Sequence, residues 1–401
     1  MSTAGLSKSG LERMRRVLSG YVERQEVPGL VALVSRHDDV HVETLGTMSV
    51  GRPAPMTRST IFRIASLTKP IAAVAAMLLV EECKLRLDDS IEPWVPELAQ
   101  RRVLKSISSQ PDDTVPALRA ITVRDLLTFR MGFGSVMAMP DTYPIQTLMR
   151  EHRIGGDGPP LPTQAPGTEQ WLQSLGSLPL MAQPGERWLY NTGADVLGVL
   201  IARVSGQSLG TFMRERIFDP LGMTDTAFHV RSKDVSRLPE SYVFNRQTNA
   251  LEIYDGVENS AWRPKPPFES GGGGLVSTID DYLAFSRMML SRGRHGRRHI
   301  LSRAAVELMT SDQLTPEQRV GAEPFFGSYR SWGLGMAVDI RRDDIFHRPG
   351  RFGWDGGLGT CAYTDPTEGM IGILFTQRMM ESPEPPKLFT DFWTLAYAAL
   401  E

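Results

Sequence analysis

The sequence is poor in cysteine and histidine and has no marked excess of charge of either sign. Its 401 residues include 2 cysteines, Cys83 and Cys361, and 7 histidines. Two cysteines so far apart do not form a disulfide framework. The formal net charge of -2 gives no reason to expect nucleic acid or an anionic membrane as a partner.

Long hydrophobic runs are also missing. The longest, IAAVAAMLLV at 71–80, has about half of the roughly 20 apolar residues that a membrane span needs. The first residues, MSTAGLSKSGLERMRR, contain no apolar run, so we expect no secretory signal and predict a cytoplasmic protein. His295 and His299 have i,i+4 spacing, but the stretch is basic and no glutamate stands between them. We therefore predict neither a metal nor a cofactor.

The order of elements along the chain indicates an α/β protein with a helical insertion. Apolar spacing predicts a helix at 9–26, and VPGLVALVSRHDD with VHVETLG predicts a β-hairpin that turns at 37–39. From 88 to 265 strand patterns largely disappear, and helical segments are joined by proline- and glycine-rich connections such as 155–170. After about 330 the strand-like segments SWGLGMAVDI, DIFHRPG, GLGTCAYTD and MIGILFTQR precede a predicted helix, KLFTDFWTLAYAALE.

This order, in a chain long enough for more than one core, predicts two domains. The first is an α/β domain made of 1–87 and 266–401, in which short connections imply antiparallel pairing of the late strands. The second is a mostly helical domain inserted at 88–265. The glycine run GGGGLVST at 271–278 should lead into a helix with Thr278 as its N-cap.

The segment FRIASLTKP, at 62–70, places two polar side chains at the start of an apolar helix. Residues three apart on a helix share a face, so Ser66 and Lys69 should be neighbours. Burial would lower the lysine pKa, and the amine could then activate the serine as a nucleophile. Free N–H groups at the helix start could stabilise an oxyanion. The simpler interpretation is a chance S-x-x-K whose lysine reaches solvent.

Two further segments carry candidate chemistry. Tyr190 lies in PGERWLYNTGADVLG, at 184–198, where a phenol near a cation could shuttle a proton. GWDGGLGTCAY, at 353–363, has glycines that allow a ligand to approach a strand closely. A packed tyrosine and an ordinary turn are the simpler interpretations of these two segments.

Together the three segments resemble the serine β-lactamase and penicillin-binding-protein fold, and most closely its family VIII carboxylesterases. ITVRDLLTF, SGQSLGTFMRERIFDPLGMTDTAF and GGGGLVSTIDDYLAF also resemble class C-type members. The resemblance implies an antiparallel sheet flanked by helices, with an all-helical lobe beside it. It further implies that Ser66 is the nucleophile, Lys69 its amine partner and Tyr190 the catalytic tyrosine.

The chain departs from the β-lactamase pattern at two places. Those enzymes have Tyr-x-Asn, whereas the triplet here is Tyr190-Asn191-Thr192. They also carry Lys-Thr-Gly, where this chain has Trp354-Asp355-Gly356, which looks like the W-x-G of the esterases. Gly357 would then supply an oxyanion N–H beside that of Ser66. Another register would place Arg351-Phe352-Gly353 at that position, but the spacing to Asp365-Pro366 favours the tryptophan.

The missing lysine points to uncharged substrates, because a negatively charged one would lose a contact worth about 1.5–3 kcal/mol. Phe133, Met137 and Tyr143, with Met131 and Met139, offer an apolar lining or lid, or else a packed loop. With Trp354, Asp355 and Gly356, the first three are the predicted substrate-binding residues.

The resemblance thus predicts an enzyme that cleaves small-molecule esters through an acyl-enzyme on Ser66, with the oligomeric state open. An acyltransferase, a D-amino-acid peptidase or amidase, and a β-lactamase are the enzymatic alternatives. A penicillin-binding sensor that is acylated without turnover is the alternative outside catalysis. GQSLG, at 206–210, matches G-x-S-x-G, but a helix precedes it, so we predict that Ser208 is a helix cap.

Overall fold

The computed structural model describes residues 5–37, 39–155 and 161–401. Residue 38 of the predicted turn and residues 156–160 of the predicted connection lie outside the described residues. The helices of the described part are α1 Lys8–Glu23, α2 Thr68–Glu81, α3 Val123–Leu127, α4 Pro144–Glu151, α5 Thr168–Ser177, α6 Thr192–Ser205, α7 Leu209–Met213, α8 Asp219–Leu221, α9 Ile279–Leu290, α10 Arg303–Met309, α11 Glu323–Phe326 and α12 Lys387–Ala398. The strands are β1 Gly29–Arg36, β2 Asp39–Ser49, β3 Arg52–Pro55, β4 Phe62–Arg63, β5 Arg102–Leu104, β6 Thr114–Pro116, β7 Ser241–Asn245, β8 Ala250–Asp255, β9 Val276–Ser277, β10 Arg294–His295, β11 Arg298–His299, β12 Arg330–Trp332, β13 Ala337–Asp339, β14 Phe352–Gly356, β15 Thr360–Asp365 and β16 Met370–Thr376.

One antiparallel sheet joins the two ends of the chain. Its strand order is β12-β13-β14-β15-β16-β1-β2-β3, and β1 pairs with β16 in the register Leu30↔Thr376. Every residue of β1 and of β16 is buried, which explains their nearly continuous apolar sequences. The predicted fold class and the antiparallel pairing of the late strands are confirmed.

Two details of the late strands differ from the prediction. SWGLGMAVDI forms two strands, β12 and β13, since Gly335 between them takes a φ of +82° that suits a turn. DIFHRPG is not a strand, and β14 begins only after it. Pro349 has no N–H to donate and Gly350 has a φ of +87°, so the segment ends in a turn.

Helices cover both faces of the sheet. On one face α1 and α12 pack together over β1 and β16 through a core that includes Leu18, Phe392 and Trp393. On the other face α9 packs against β15 and β16, and α2 lies in the larger core behind it. Twelve residues of α2 are buried, so this helix forms a rigid, apolar support for whatever its first turn carries.

Among the described residues of the stretch from 88 to 265, helices make up most of the regular structure, which includes α3 to α8. It also contains two short hairpins, β5 with β6 and β7 with β8, which the sequence did not indicate. The strands β5 and β6, with three residues each, are too short to show an alternating pattern. The boundaries of the two domains stay a prediction.

Among the described helices, no single one is long and apolar enough to cross a membrane. Helix α6 and the segment Leu209–Leu221 together have the length and composition of a membrane span, but the two are bent by 79° relative to each other.

Candidate active site

Ser66 lies at the junction between the sheet and the buried helix. Strand β4 pairs with β9, and the chain then makes a 3-10 turn, Ala65–Leu67, that leads directly into α2. Ala65 has a φ of +45°, which is uncommon for a residue with a side chain. The Thr360 hydroxyl donates to the Ile64 carbonyl at 3.1 Å and so ties the turn to β15. Such local strain is typical of sites where a reacting group must be held out of the helix.

The Lys69 amine is buried and surrounded by oxygen atoms. Its Nζ lies 2.9 Å from Ser66 Oγ, 2.7 Å from Asn191 Oδ1 and 2.6 Å from the Gly272 carbonyl. Only 1% of the residue is exposed, so it does not reach solvent. Burial lowers the pKa of Lys69 to about 7, and the negative charge of Asp195 opposes the shift. Near neutral pH a large share of this lysine therefore carries no proton and can act as a base.

Tyr190 completes the group around Ser66. Its hydroxyl accepts a hydrogen bond of 2.8 Å from the indole Nε1 of Trp354. The Lys69 Nζ lies 4.5 Å from the centre of the tyrosine ring. Burial raises the pKa of Tyr190 above that of a free phenol, although the neighbouring Ser66 and Trp354 oppose the shift. Phe325 packs on the ring with the centroids 4.7 Å apart, so the phenol is held in place.

Strand β14 presents alternate residues to opposite sides of the sheet. Trp354 faces Ser66 and Tyr190, whereas the Asp355 carboxylate accepts from the Tyr363 hydroxyl at 3.0 Å and lies 3.5 Å from Arg330 Nη1. The Asp355 carboxylate therefore lies on the far face and already has partners, so this geometry does not support its predicted contact with substrate. Burial raises the pKa of Asp355, and the Arg330 charge opposes that change.

Gly356 and Gly357 lie at the end of β14, next to the turn Ala65–Leu67 that carries Ser66. A Cβ on Gly356 would be 2.5 Å from the Ile64 carbonyl oxygen, so only glycine permits this approach. Gly357 follows in the turn to β15, and its carbonyl accepts from the Met380 N–H at 2.9 Å. The alternative register does not reach the site, because the buried Arg351 Nη1 is paired with Asp339 at 3.0 Å.

The predicted apolar lining is split between the core and the surface. Phe133 is completely buried and Tyr143 is partly buried, while Met137 is 48% exposed. The Ser135 N–H donates to the Tyr190 carbonyl at 2.8 Å, so this loop runs beside Tyr190. Phe133 lies in the core, so its burial does not support the predicted contact with substrate. Met137 is the predicted substrate-binding residue with the most free surface.

Three residues around Lys69 were not identified from the sequence as parts of the site: Asn191, Asp195 and Gly272. Asn191 follows Tyr190 directly, with a φ of +81°, and Asp195 lies one helical turn further along α6. The Asp195 carboxylate accepts from Ser270 Oγ at 2.5 Å and from the Gly272 N–H at 3.0 Å. An aspartate inside the apolar run ADVLGVLIAR was the signal that could have revealed it.

The two remaining sequence motifs are accounted for by local structure. Ser208 is the N-cap of α7, where its Oγ accepts from the Thr211 N–H at 3.2 Å, so the predicted helix cap is confirmed. His295 and His299 lie on the two strands of the exposed hairpin β10 with β11. Within the described ranges, no three His, Cys, Asp or Glu side chains form a group that could hold a metal ion.

Known proteins share this architecture along most of their length. The family model described as Beta-lactamase matches residues 14–390. An uncharacterized protein of Mycobacterium tuberculosis is 36% identical over 87% of this chain and 85% of its own length. Esterase EstB of Burkholderia gladioli is 28% identical over 93% of this chain and 92% of its own. The solved structure of EstCE1, a hydrolase with promiscuous acyltransferase activity, superposes with a TM-score of 0.79 at 24% identity, covering 97% of this chain and 99% of that one.

Proposed function

Because this chain belongs to the beta-lactamase family, we propose that it is a serine hydrolase that cleaves small carboxylic esters through an acyl-enzyme on Ser66. One contact carries the proposal: the buried Lys69 amine, with a pKa of about 7, lies 2.9 Å from the Ser66 hydroxyl. An amine with that pKa can remove the serine proton at neutral pH. The similarity to Esterase EstB supports an ester as the substrate class.

The reaction follows from the positions of these groups. Ser66 Oγ attacks the ester carbonyl while its proton passes to Lys69, with Tyr190 in the same hydrogen-bonded group. The N–H groups of Ser66 and Gly357 would donate to the oxyanion that forms. The leaving alkoxide takes the proton back as the tetrahedral intermediate collapses. Water then attacks the acyl-enzyme, releases the acid and returns the proton to Ser66. Lys69 and Tyr190 are close enough to titrate as a pair.

Trp354 favours an ester over a β-lactam. It replaces the strand lysine of β-lactamases with a neutral indole, whose single N–H is already used by Tyr190. A substrate carboxylate would therefore lack a charge-assisted hydrogen bond worth about 1.5–3 kcal/mol. A neutral ester loses nothing by this replacement. Gly356 lies on the same side of the strand as Trp354 and, with the exposed Met137 of the loop beside Tyr190, belongs to the proposed substrate-binding residues.

The test compares two substrates on one preparation of the full chain. We expect kcat/KM for p-nitrophenyl butyrate to exceed that for nitrocefin, and Ser66→Ala to remove both activities. A panel of short and long p-nitrophenyl esters would give the preferred acyl length. A nitrocefin value equal to or above the ester value would reject the esterase and favour a β-lactamase.

Acyl transfer is the second candidate, because it shares the acyl-enzyme and differs only in the acceptor. The similarity to EstCE1 supports acyl transfer as an alternative. Adding a short alcohol to the ester assay tests this alternative, because acyl transfer would form a new ester of that alcohol. A D-amino-acid peptidase, an amidase and a penicillin-binding sensor would begin with the same acylation of Ser66. A stoichiometric burst of p-nitrophenol without turnover would indicate the sensor.

The cytoplasmic location stays a prediction, which cell fractionation would test.

A further inference from the structure

The three partners of the Lys69 amine are not chemically equivalent. Asn191 Oδ1 and the Gly272 carbonyl can only accept a hydrogen bond, whereas the Ser66 hydroxyl can also donate one. A protonated lysine can donate to all three. A neutral amine has two N–H groups, and these two are taken by the two acceptors. Its lone pair is then left facing the Ser66 hydroxyl, which is the direction that proton removal requires.

This selection depends on the orientation of the Asn191 amide. If the amide were reversed, its NH₂ group would face Lys69 and the lone pair would no longer be directed at Ser66. Asn191 Nδ2 donates to Asp195 Oδ2 at 3.3 Å, and an ionised carboxylate cannot donate in return. Burial raises the pKa of Asp195, whereas the hydrogen bonds from Ser270 and Gly272 and the charge of Lys69 favour the ionised form. Asp195 therefore fixes the amide with its oxygen toward the lysine.

Asp195 also fixes the second acceptor. Its Oδ1 accepts from the Gly272 N–H at 3.0 Å and from Ser270 Oγ at 2.5 Å, and the carbonyl of the same glycine is the one that Lys69 contacts. A Cβ on Gly272 would lie 2.9 Å from Asp195 Oδ1 and 3.0 Å from Asn191 Oδ1. The absence of a side chain at 272 is therefore needed for the carboxylate to hold both acceptors.

We propose that Asp195 is a positioning residue, which holds Asn191 and Gly272 so that the neutral Lys69 amine directs its lone pair at Ser66. The proposal rests on the proposed function and adds a residue to it. Asp195 acts through the two acceptors and does not touch the reacting atoms.

The same carboxylate has an electrostatic effect on Lys69. Asp195 from α6 raises the pKa of Lys69 against the effect of burial, Tyr190 presents its ring to the amine, and Asp355 lies on the far face of β14 beside Arg330. Loss of the Asp195 charge should therefore lower the lysine pKa further. The acid limb of kcat/KM should move to lower pH while kcat falls.

The experiment compares Asp195→Asn with Asp281→Asn in the full chain. Asp281 is equally buried, at 7% exposure against 8%, and it accepts from Thr226 Oγ1 and the Asp225 N–H. The probes are p-nitrophenyl butyrate turnover and the rate of Ser66 labelling by a fluorophosphonate, both measured against pH. We expect Asp195→Asn to lower kcat by roughly 10-fold or more, a part of the usual contribution of a general base. We also expect its acid limb to shift, with KM nearly unchanged, while Asp281→Asn keeps the wild-type limb.

A second variant keeps the test open if Asp195→Asn does not fold. Asn191→Gly preserves the positive φ and removes the amide, so it should fold and lose kcat in the same way. Wild-type kcat and an unmoved acid limb in folded Asp195→Asn, or full activity in Asn191→Gly, would overturn the positioning role. Absence of Ser66 labelling in the wild-type chain would instead reject the proposed function itself.

Discussion

Strand β14 separates two buried polar clusters of opposite chemical character. On one face, the lysine cluster consists of Ser66, Lys69, Tyr190, Asn191, Asp195 and Trp354. On the other face, the arginine cluster consists of Arg330, Asp339, Arg351, Asp355 and Tyr363. In the arginine cluster each guanidinium contacts a carboxylate directly, at 3.0 to 3.5 Å. In the lysine cluster the Asp195 carboxylate does not contact the amine directly but is connected to it through Asn191 and Gly272.

This difference distinguishes the proposed reactive cluster from a structural one. A guanidinium keeps its proton at any ordinary pH, and a directly paired carboxylate stabilises the charge further. Burial lowers the pKa of Lys69 to about 7, and a lysine that contacts only neutral oxygens has no directly paired carboxylate to offset that shift. Burial of charge by itself therefore does not identify an active site. A buried titratable group whose counter-charge is not in direct contact is the better indication of an active site.

The largest expected effect is at Ser66. Ser66→Ala should abolish ester hydrolysis because the acyl group then has no oxygen to bind. Turnover of p-nitrophenyl butyrate measures this, with Ser208→Ala as the matched control, since that side chain only caps α7. A fluorophosphonate adduct on Ser208 with Ser66 unlabelled would contradict the assignment.

The next effect concerns the two groups that handle the proton. Lys69→Ala and Tyr190→Phe should each lower kcat by roughly 10²–10⁴-fold, the usual scale for general acid–base catalysis. Their combined loss should be far smaller than the product, since groups that act as a unit are not additive. Steady-state kinetics of the two single variants and the double variant measure this. Full activity in Tyr190→Phe would show that the tyrosine is only packed.

Substitutions in the arginine cluster should lower the free energy of unfolding and should not act through the chemistry of the reaction. Arg330→Met would leave Asp339 and Asp355 without one of their cations and should lower the free energy of unfolding by about 3–5 kcal/mol. Arg58→Met removes an exposed pair with Asp280 and should cost no more than about 1 kcal/mol. Urea unfolding measures both. Equal midpoints for the two variants would contradict the structural role of the arginine cluster.

The smallest expected effect is the response of the wild-type enzyme to pH. Lys69 must be neutral to take the serine proton, so kcat/KM should fall as pH drops through its pKa of about 7. Below that point the decrease should approach about tenfold per pH unit, as for a single protonation. A pH profile from about 5 to 9 in constant ionic strength would show the limb, and Ser208→Ala should reproduce it. A profile that stays flat throughout the acid range would mean that Lys69 is not the titrating base.

Local patterns predicted the parts of the site that lie close together along the chain. Ser66 and Lys69 could be paired because a helix fixes the geometry of residues three apart, and Thr278 and Ser208 could be recognised as caps for the same reason. The contact of Asp355 with substrate stays a prediction that its orientation does not support, because residues in W-x-G alternate between the two faces of a strand. Sequence spacing gives that alternation but does not say which face meets Ser66.

The sequence by itself determined the antiparallel α/β fold, the buried helix and the polar pair at its start, since periodicity, caps and short connections act locally. Only the tertiary structure decided what surrounds Lys69. Asn191 and Gly272 are separated from it by 122 and 203 positions, and their oxygens meet the amine because α6 and the glycine run pack against the start of α2. The pKa of a buried amine depends on desolvation and on charges within a few ångströms, and those neighbours come from packing between distant segments.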